Sequence, residues 1–509
     1  MEGFIDYLGE HYLLLVLTSG YMALVLYIGW YFRKKAASGT QAFYIAKREI
    51  PGWVVSLAFF STFTSTNTYI GQAGQAFKYG LSWAWVGLFW AIFCIISWLL
   101  LGPRMRNQTA KLGSCTIPDY FHFRYKSNIS RLVRLFSAIV ILFATLWYMV
   151  GIVKGTSHVF ESVFGLPYAW GAAIIIAVTC AYTVWGGMYS VLWTDAIQGI
   201  MMFAVAILMV MIPIVYIGGA GELLEAIGNT AHPDVEGRPI GNGLVTFGQL
   251  TSFMYILGIG LAVGMKQIAE PRCLVRFYSI DNTKSMKFAM IWTPVFLGIS
   301  LICVMGLGAL VHGMASEEEA SYLIKNTDEV VGFMLAKFNH PLVSGICVAG
   351  LFAAGMSSLA SVMLIVGTAF VNDVLEVTVK VRQGKNILFT RWTIVLYSVI
   401  VFLFTLAPPA NIVELTAFSG AIFAASFFPA IFGGLYLKWG TDLGALTSMI
   451  SGMVAAIVWR FVFRLEYAAL KDIHEIIPAF IFSLLVYIVV SLATKGRMPD
   501  KEHLEHLFS

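Results

Sequence analysis

Seven hydroxyl or amide side chains fall within eight positions at Ser61, Thr62, Thr64, Ser65, Thr66, Asn67 and Thr68, and Gly71, Gln72, Gly74 and Gln75 follow. The surrounding stretch, PGWVVSLAFFSTFTSTNTYIGQAGQAF, is otherwise apolar. A helix this polar cannot face lipid on every side. The glycines favour an unwound segment, and interrupted backbone in a membrane is tolerated where it lines a cavity that holds ions or a solute. One or two such hydroxyls would serve only to glue helices together; seven favour the cavity. A second stretch, AAGMSSLASVM at 353–363, places Ser357, Ser358 and Ser361 on a small-residue helix. Hydroxyl and carbonyl oxygens suit a hard cation, and a nearly neutral oxygen cage can release it again. Asp195, in GGMYSVLWTDAIQGIMM, is a carboxylate near a membrane interface. It costs about 2.5–3.5 kcal/mol at helix centre and less near an end. It serves either an ion, a proton or a buried partner, or else caps the Gly186–Gly187 turn. Glu414 reads as an interfacial group.

Other chemistries find no residues. The nine histidines lie in loops or near the ends of apolar stretches, where they cannot ligate a haem or metal inside the membrane. None of the six cysteines forms a CxxC pair, and they read as packing residues. There is no nucleotide-binding loop. This argues against an electron-transfer enzyme and against an ATP-driven pump, and the expectation is a protein that is not an enzyme and needs no cofactor.

The elements that must position these residues are membrane helices. Hydrophobic residues make up 59% of the 509 and charged residues 12%, about half the share of a soluble domain. Thirteen apolar stretches are long enough to cross a bilayer as helices: 11–31, 51–77, 81–102, 131–155, 168–186, 191–217, 246–268, 288–313, 341–371, 389–409, 412–437, 443–464 and 475–494, numbered below as spans 1 to 13. The N-terminus lacks the basic region of a cleaved signal peptide and reads as an anchor helix. Alternate connections carry the lysines and arginines, among them Arg33 to Arg48, Arg104 to Arg134, Lys266 to Lys287, Lys380 to Arg391, and the tail. The opposite connections carry Glu222, Glu225, Asp234 and Glu236, then Glu317, Glu318, Glu319, Asp328 and Glu329. Basic loops stay in the cytoplasm, so the N-terminus is expected outside and the C-terminus inside, in the plasma membrane or the inner membrane of a bacterium. The connections near 218–245 and 314–340 have room for short amphipathic helices. A net charge of +5 gives no case for nucleic acid; the expected partners are lipid, an ion and a small solute.

With these residues on the page, the chain resembles the sodium:solute symporter family over nearly its whole length. GGMYSVLWTDAIQG (186–199) looks like the family signature, AAGMSSLASVM like its sodium-site helix, and the run ending in IGQAG, PRCLVRF (271–277) and FFPAIFGGLYLKWG (427–440) are similar to further landmarks. The resemblance implies an all-α, LeuT-like core of two inverted five-helix repeats, spans 2–6 and spans 7–11. The chain would then divide into an anchor helix (1–40), a first repeat (41–217), an external loop (218–245), a second repeat (246–440) and two C-terminal helices with a tail (441–509). Gly258, Gly260 and Gly264 are expected to break span 7 as its counterpart is broken. By resemblance, sodium is held by backbone carbonyls of Ser61, Thr64 and Ala354 and hydroxyls of Ser357 and Ser358. Asp195 and Ser361 match a second sodium site of some members, but Ala360 stands where those place a further serine. Solute-binding candidates are Ser65, Asn67, Thr68, Gln72 and, as a gate, Tyr255. The chain looks closer to the proline and pantothenate branch than to the choline branch, yet Asn67 and Val263 replace aromatics of its proline members, which disfavours proline itself. The implied function is sodium-coupled symport of a small organic acid, vitamin or amino-acid-like solute. A sugar substrate, proton coupling, a sodium-independent facilitator and a transporter-like sensor are the alternatives.

Overall fold

The computed structural model describes residues 2–228, 230, 244, 250–379 and 384–509. Asp234, Glu236, Lys380, Arg382 and the first residues of span 7 lie outside the described residues. Among those described, the chain is helical and has no β-strand, only an isolated parallel bridge between Ile50 and Ile280.

Among the described residues, eleven helices are long and apolar enough to cross a membrane. Two of them, Asn67–Leu112 and Tyr168–Ile217, run to 46 and 50 residues. At 1.5 Å per residue each would reach about 70 Å, well beyond a bilayer of roughly 40–45 Å. Each contains a glycine in a backbone conformation no helix adopts: Gly80 at φ 66°, ψ −161° and Gly187 at φ 51°, ψ −146°. Dividing both there gives the thirteen crossings expected from hydropathy. Span 9 (Pro341–Thr368) is the axis, with its most apolar 18 residues 100% buried, while the corresponding 18-residue stretches of span 10 (within Asn386–Thr405) and span 12 (within Asp442–Glu466) are 22% buried and form the rim. Short helices at Ala220–Gly228, Glu317–Lys325 and Val330–Phe338 occupy the two connections expected to hold them.

Both interrupted spans are interrupted, but not at their glycines. Span 2 runs as a helix from Gly52 to Phe63, opens at Thr64 (φ −80°, ψ 109°), and resumes with wide π-type turns over Asn67–Gln72 before Ala73–Tyr79. Hydroxyl side chains compete for its backbone: Thr64 Oγ1 donates to the Phe60 carbonyl at 2.6 Å, and Thr68 Oγ1 accepts from the Ser65 N–H at 3.2 Å. Span 7 is helical over Phe253–Gly264, tightens at Met265–Ile268, and breaks at Ala269–Glu270 ahead of Pro271–Ser279. Proline disfavours helical backbone in the residue before it, so Pro271 sets this break. Gly258, Gly260 and Gly264 instead lie inside the helix, against His474, Phe89 and Phe93.

The charge pattern also reads differently in three dimensions. Lys266, Arg272 and Arg276 are 1%, 2% and 1% exposed. They are not loop cations but part of the bundle interior; of that group only Lys284 and Lys287 are surface charges.

Candidate cation and solute site

The opening in span 2 lies directly against span 9. The Ser357 hydroxyl donates to the Ser61 carbonyl at 2.9 Å and lies 3.3 Å from the Ala354 carbonyl. One residue on, the Ser358 hydroxyl donates to the Thr62 carbonyl at 3.0 Å. All five residues are buried. Three of the expected ligand oxygens, from Ser61, Ala354 and Ser357, therefore meet at one point. Ser358 is tied to Thr62 rather than to Ser61 or Thr64, and Thr64 forms the opening itself. Helix breakage is what frees the Ser61 and Thr62 carbonyls: without residues continuing the helix at 64–66, the oxygens at the end of Gly52–Phe63 have no N–H above them.

Asp195 and Ser361 come together as expected, and with Thr62. Asp195 Oδ2 accepts from the Thr62 hydroxyl at 2.9 Å and lies 3.1 Å from Ser361 Oγ. A third partner was not expected. Arg276 Nη2 reaches Asp195 Oδ2 at 2.6 Å and Ser361 Oγ at 2.6 Å, and also donates to Thr62 Oγ1. Arg272 donates to the Thr62 carbonyl, the same oxygen Ser358 holds. A guanidinium thus holds the Asp195 carboxylate, and Asp195 is not a cap of the Gly186–Gly187 turn.

The solute candidates split into two groups. Ser65 and Thr68 are at the break, and Thr68 is engaged with the Ser65 backbone. Asn67 and Gln72 face each other, with Gln72 Nε2 donating to Asn67 Oδ1 at 3.3 Å; Gln72 Oε1 accepts from Trp83 Nε1 at 2.7 Å. Among the described residues, no hydrogen bond joins the Tyr255 side chain to them. Its ring is 6.0 Å from Trp83 and 6.0 Å from Tyr79, so it closes an aromatic layer beyond Gln72. The site is closed over: Ser65, Asn67, Thr68 and Gln72 are at most 2% exposed.

Sequence reasoning passed over Tyr148, Lys266, Glu270, Arg272 and Arg276 as site residues. Tyr148 on span 4 has its hydroxyl beside Ser65 and Ser358. Its ring carries Lys266 Nζ at 3.5 Å and the Arg272 guanidinium at 4.1 Å. The Lys266–Glu270 and Arg272–Arg276 spacings, each four residues around Pro271, were a legible signal of side chains stacked on one face. Nothing in the sequence marks Tyr148.

A family model described as "Sodium:solute symporter family" matches residues 43–452. The osmoregulated proline transporter OpuE of Bacillus subtilis (strain 168) is 30% identical over 481 residues, covering 93% of this chain and 94% of that protein. The high-affinity proline transporter PutP of the same organism is 30% identical over 480 residues, covering 93% and 96%. Among solved structures, a sodium-coupled sialic acid symporter in a substrate-bound outward-open state superposes with a TM-score of 0.78, at 16% identity, over 96% of this chain and 98% of that one. The architecture is accordingly LeuT-like, a core of inverted five-helix repeats within a multi-pass membrane protein.

Proposed function

This chain belongs to the sodium:solute symporter family, and we propose that it carries a small organic solute with one sodium ion per cycle, the ion bound where the opened end of span 2 meets span 9. The observation that carries this reading is the convergence of the Ser61 and Ala354 carbonyls on the Ser357 hydroxyl. Those hydrogen bonds join the two segments whose separation opens the site, so an ion that replaces them latches span 2 to span 9. Thr64 and Ser358 complete the ligand set once their oxygens turn toward the ion. Ser65, Asn67, Thr68 and Gln72 line the solute position, and the Tyr255–Trp83 layer acts as the gate above it. Arg276 supplies the positive charge that Asp195 would otherwise take from a second sodium, which supports a single ion. Repeats at spans 2–6 and 7–11 put both interrupted helices at equivalent positions. The N-terminus faces outward and the tail the cytoplasm of the plasma membrane. Proline, the substrate in the relatives' names, is one solute that a test panel must include.

One sodium moved down 100 mV releases about 2.3 kcal/mol, and a tenfold gradient about 1.4 kcal/mol. That sustains a concentrative step. The test is thermal unfolding of the purified chain in sodium against choline, together with uptake into proteoliposomes. Sodium raises the melting temperature of the native chain by mass action, and Ser357→Ala weakens sodium binding at least tenfold and abolishes concentrative uptake. Equal stability in both salts, or pH-driven uptake that ignores sodium, would replace this reading by proton coupling or facilitation.

A further inference from the structure

The break in span 7 buries more positive charge than negative. Asp195 is matched by Arg276 at 2.6 Å, and Glu270 by Arg272 at 2.7 Å. Lys266 is left over. Its ammonium is 3.7 Å from Glu270 Oε1, too far for a hydrogen bond, and among the described residues none of its three N–H groups has an acceptor. What it has is the face of Tyr148 at 3.5 Å. Glu270 is shared with Arg272, whose guanidinium lies over the same ring at 4.1 Å. Lys266 is 1% exposed. A buried ammonium without an acceptor is costly and marks a place where a partner arrives.

The position fits an arriving solute. Lys266 stands in the tight turn Met265–Ile268, just before the break of span 7. Its side chain passes Gly420 of span 11, where a Cβ would come within 3.4 Å of Cδ. The hydroxyl of the Tyr148 ring that it covers lies near Ser65 and Ser358, one from the solute candidates and one from the cation candidates, without a hydrogen bond to either. Lys266 is therefore about one aromatic ring away from both.

We propose that Lys266 receives the carboxylate of the transported solute and that this solute is a small monocarboxylate anion. The inference rests on the transporter reading above and adds the substrate class. A zwitterionic amino acid satisfies Lys266 with its carboxylate, but its own ammonium finds Asp195 and Glu270 already held by arginines. A sugar leaves the surplus charge uncompensated. An anion neutralises it, and its charge also attracts sodium to the adjoining oxygens. In the empty site Lys266 repels sodium, so ion and solute each favour the other's binding, as reciprocal coupling requires.

The test uses the purified full-length chain, with thermal unfolding in sodium or choline as the readout. The probes are acetate, propionate, lactate, pyruvate, benzoate and nicotinate, each beside its uncharged amide, with L-proline and glucose. In sodium at least one of these acids stabilises the native chain and its amide does not. Lys266→Met weakens that acid at least tenfold, Lys266→Arg weakens it less, and Lys266→Met binds sodium more tightly than the native chain when no solute is present. The proposal is overturned if none of the acids stabilises, if an amide, proline or glucose stabilises more than every acid, or if Lys266→Met keeps the acid within twofold. Should Lys266→Met not fold, Lys266→Gln decides: it keeps a polar tip without the charge and weakens the acid at least tenfold, whereas acid binding within twofold of the native chain would sink the proposal. Stabilisation by sodium alone, and its loss in Ser357→Ala, reads the ion site separately from all of this.

Discussion

At the scale of single residues, the interior is governed by how each buried charge is answered. Asp195 and Arg276 are 0% and 1% exposed and meet at 2.6 Å, with Thr62 and Ser361 filling further hydrogen-bonding positions. Taking one partner from such a pair strands the other, at about 3–5 kcal/mol, while removing both together is far cheaper. Asp195→Ala should therefore unfold at markedly lower temperature or denaturant, and adding Arg276→Met should recover most of the loss. Sodium titration of that double variant separates roles: the ion's midpoint stays within about threefold of the native value if sodium sits at Ser61, Ala354 and Ser357, and moves further if Asp195 is a ligand. The sequence announced the cost of a carboxylate at position 195 but not its partner. Arg276 is 81 positions away, and it was counted among loop charges because hydropathy sees a short polar stretch after span 7 without seeing that the stretch folds back inside.

At the scale of elements, close approach and chain reversal are different demands on glycine. Gly187, at φ 51° and ψ −146°, divides Tyr168–Ile217 into its two crossings. That conformation is essentially open to glycine alone and costs other residues on the order of 1–3 kcal/mol. A Cβ there would also stand 2.8 Å from the Phe43 carbonyl and ring. Gly187→Ala should lower the melting temperature and the folded yield. Gly306→Ala, on a helix where a Cβ meets nothing within 4 Å, should be neutral or gain up to about 1 kcal/mol from helix propensity. The thirteen crossings were legible because each carries enough apolar length for a bilayer, whatever its packing. The positions of the two breaks were not. Gly258, Gly260 and Gly264 looked like hinges, yet they accommodate His474, Phe89 and Phe93. The openings fall where hydroxyls bind their own backbone, at Thr64, and where Pro271 forbids helix in Glu270. Composition marks both uses of glycine identically, so only the neighbours tell them apart.

At the scale of the whole molecule, the charges that move in one cycle fix what can drive it. Lys266, Arg272, Arg276, Glu270 and Asp195 stay with the protein. If one sodium travels with one monocarboxylate, the cargo carries no net charge, and the membrane potential does no work on it. Steady-state accumulation then follows the sodium gradient alone: a tenfold gradient yields about tenfold accumulation, with or without an imposed voltage. Two sodium ions per anion would square the chemical contribution to about a hundredfold, and 100 mV would multiply it by about fiftyfold more, since 2.3 kcal/mol is nearly two decades. Proteoliposomes carrying a fixed sodium gradient, with potential set by a potassium diffusion gradient, distinguish these outcomes by a margin far wider than assay scatter. Accumulation near tenfold and indifferent to voltage is the expected result for the native chain. A strong voltage dependence with the same acid would mean that the Arg276–Asp195 pair gives way to a second ion during the cycle, and with an uncharged solute it would place a single sodium beside a Lys266 that has another task.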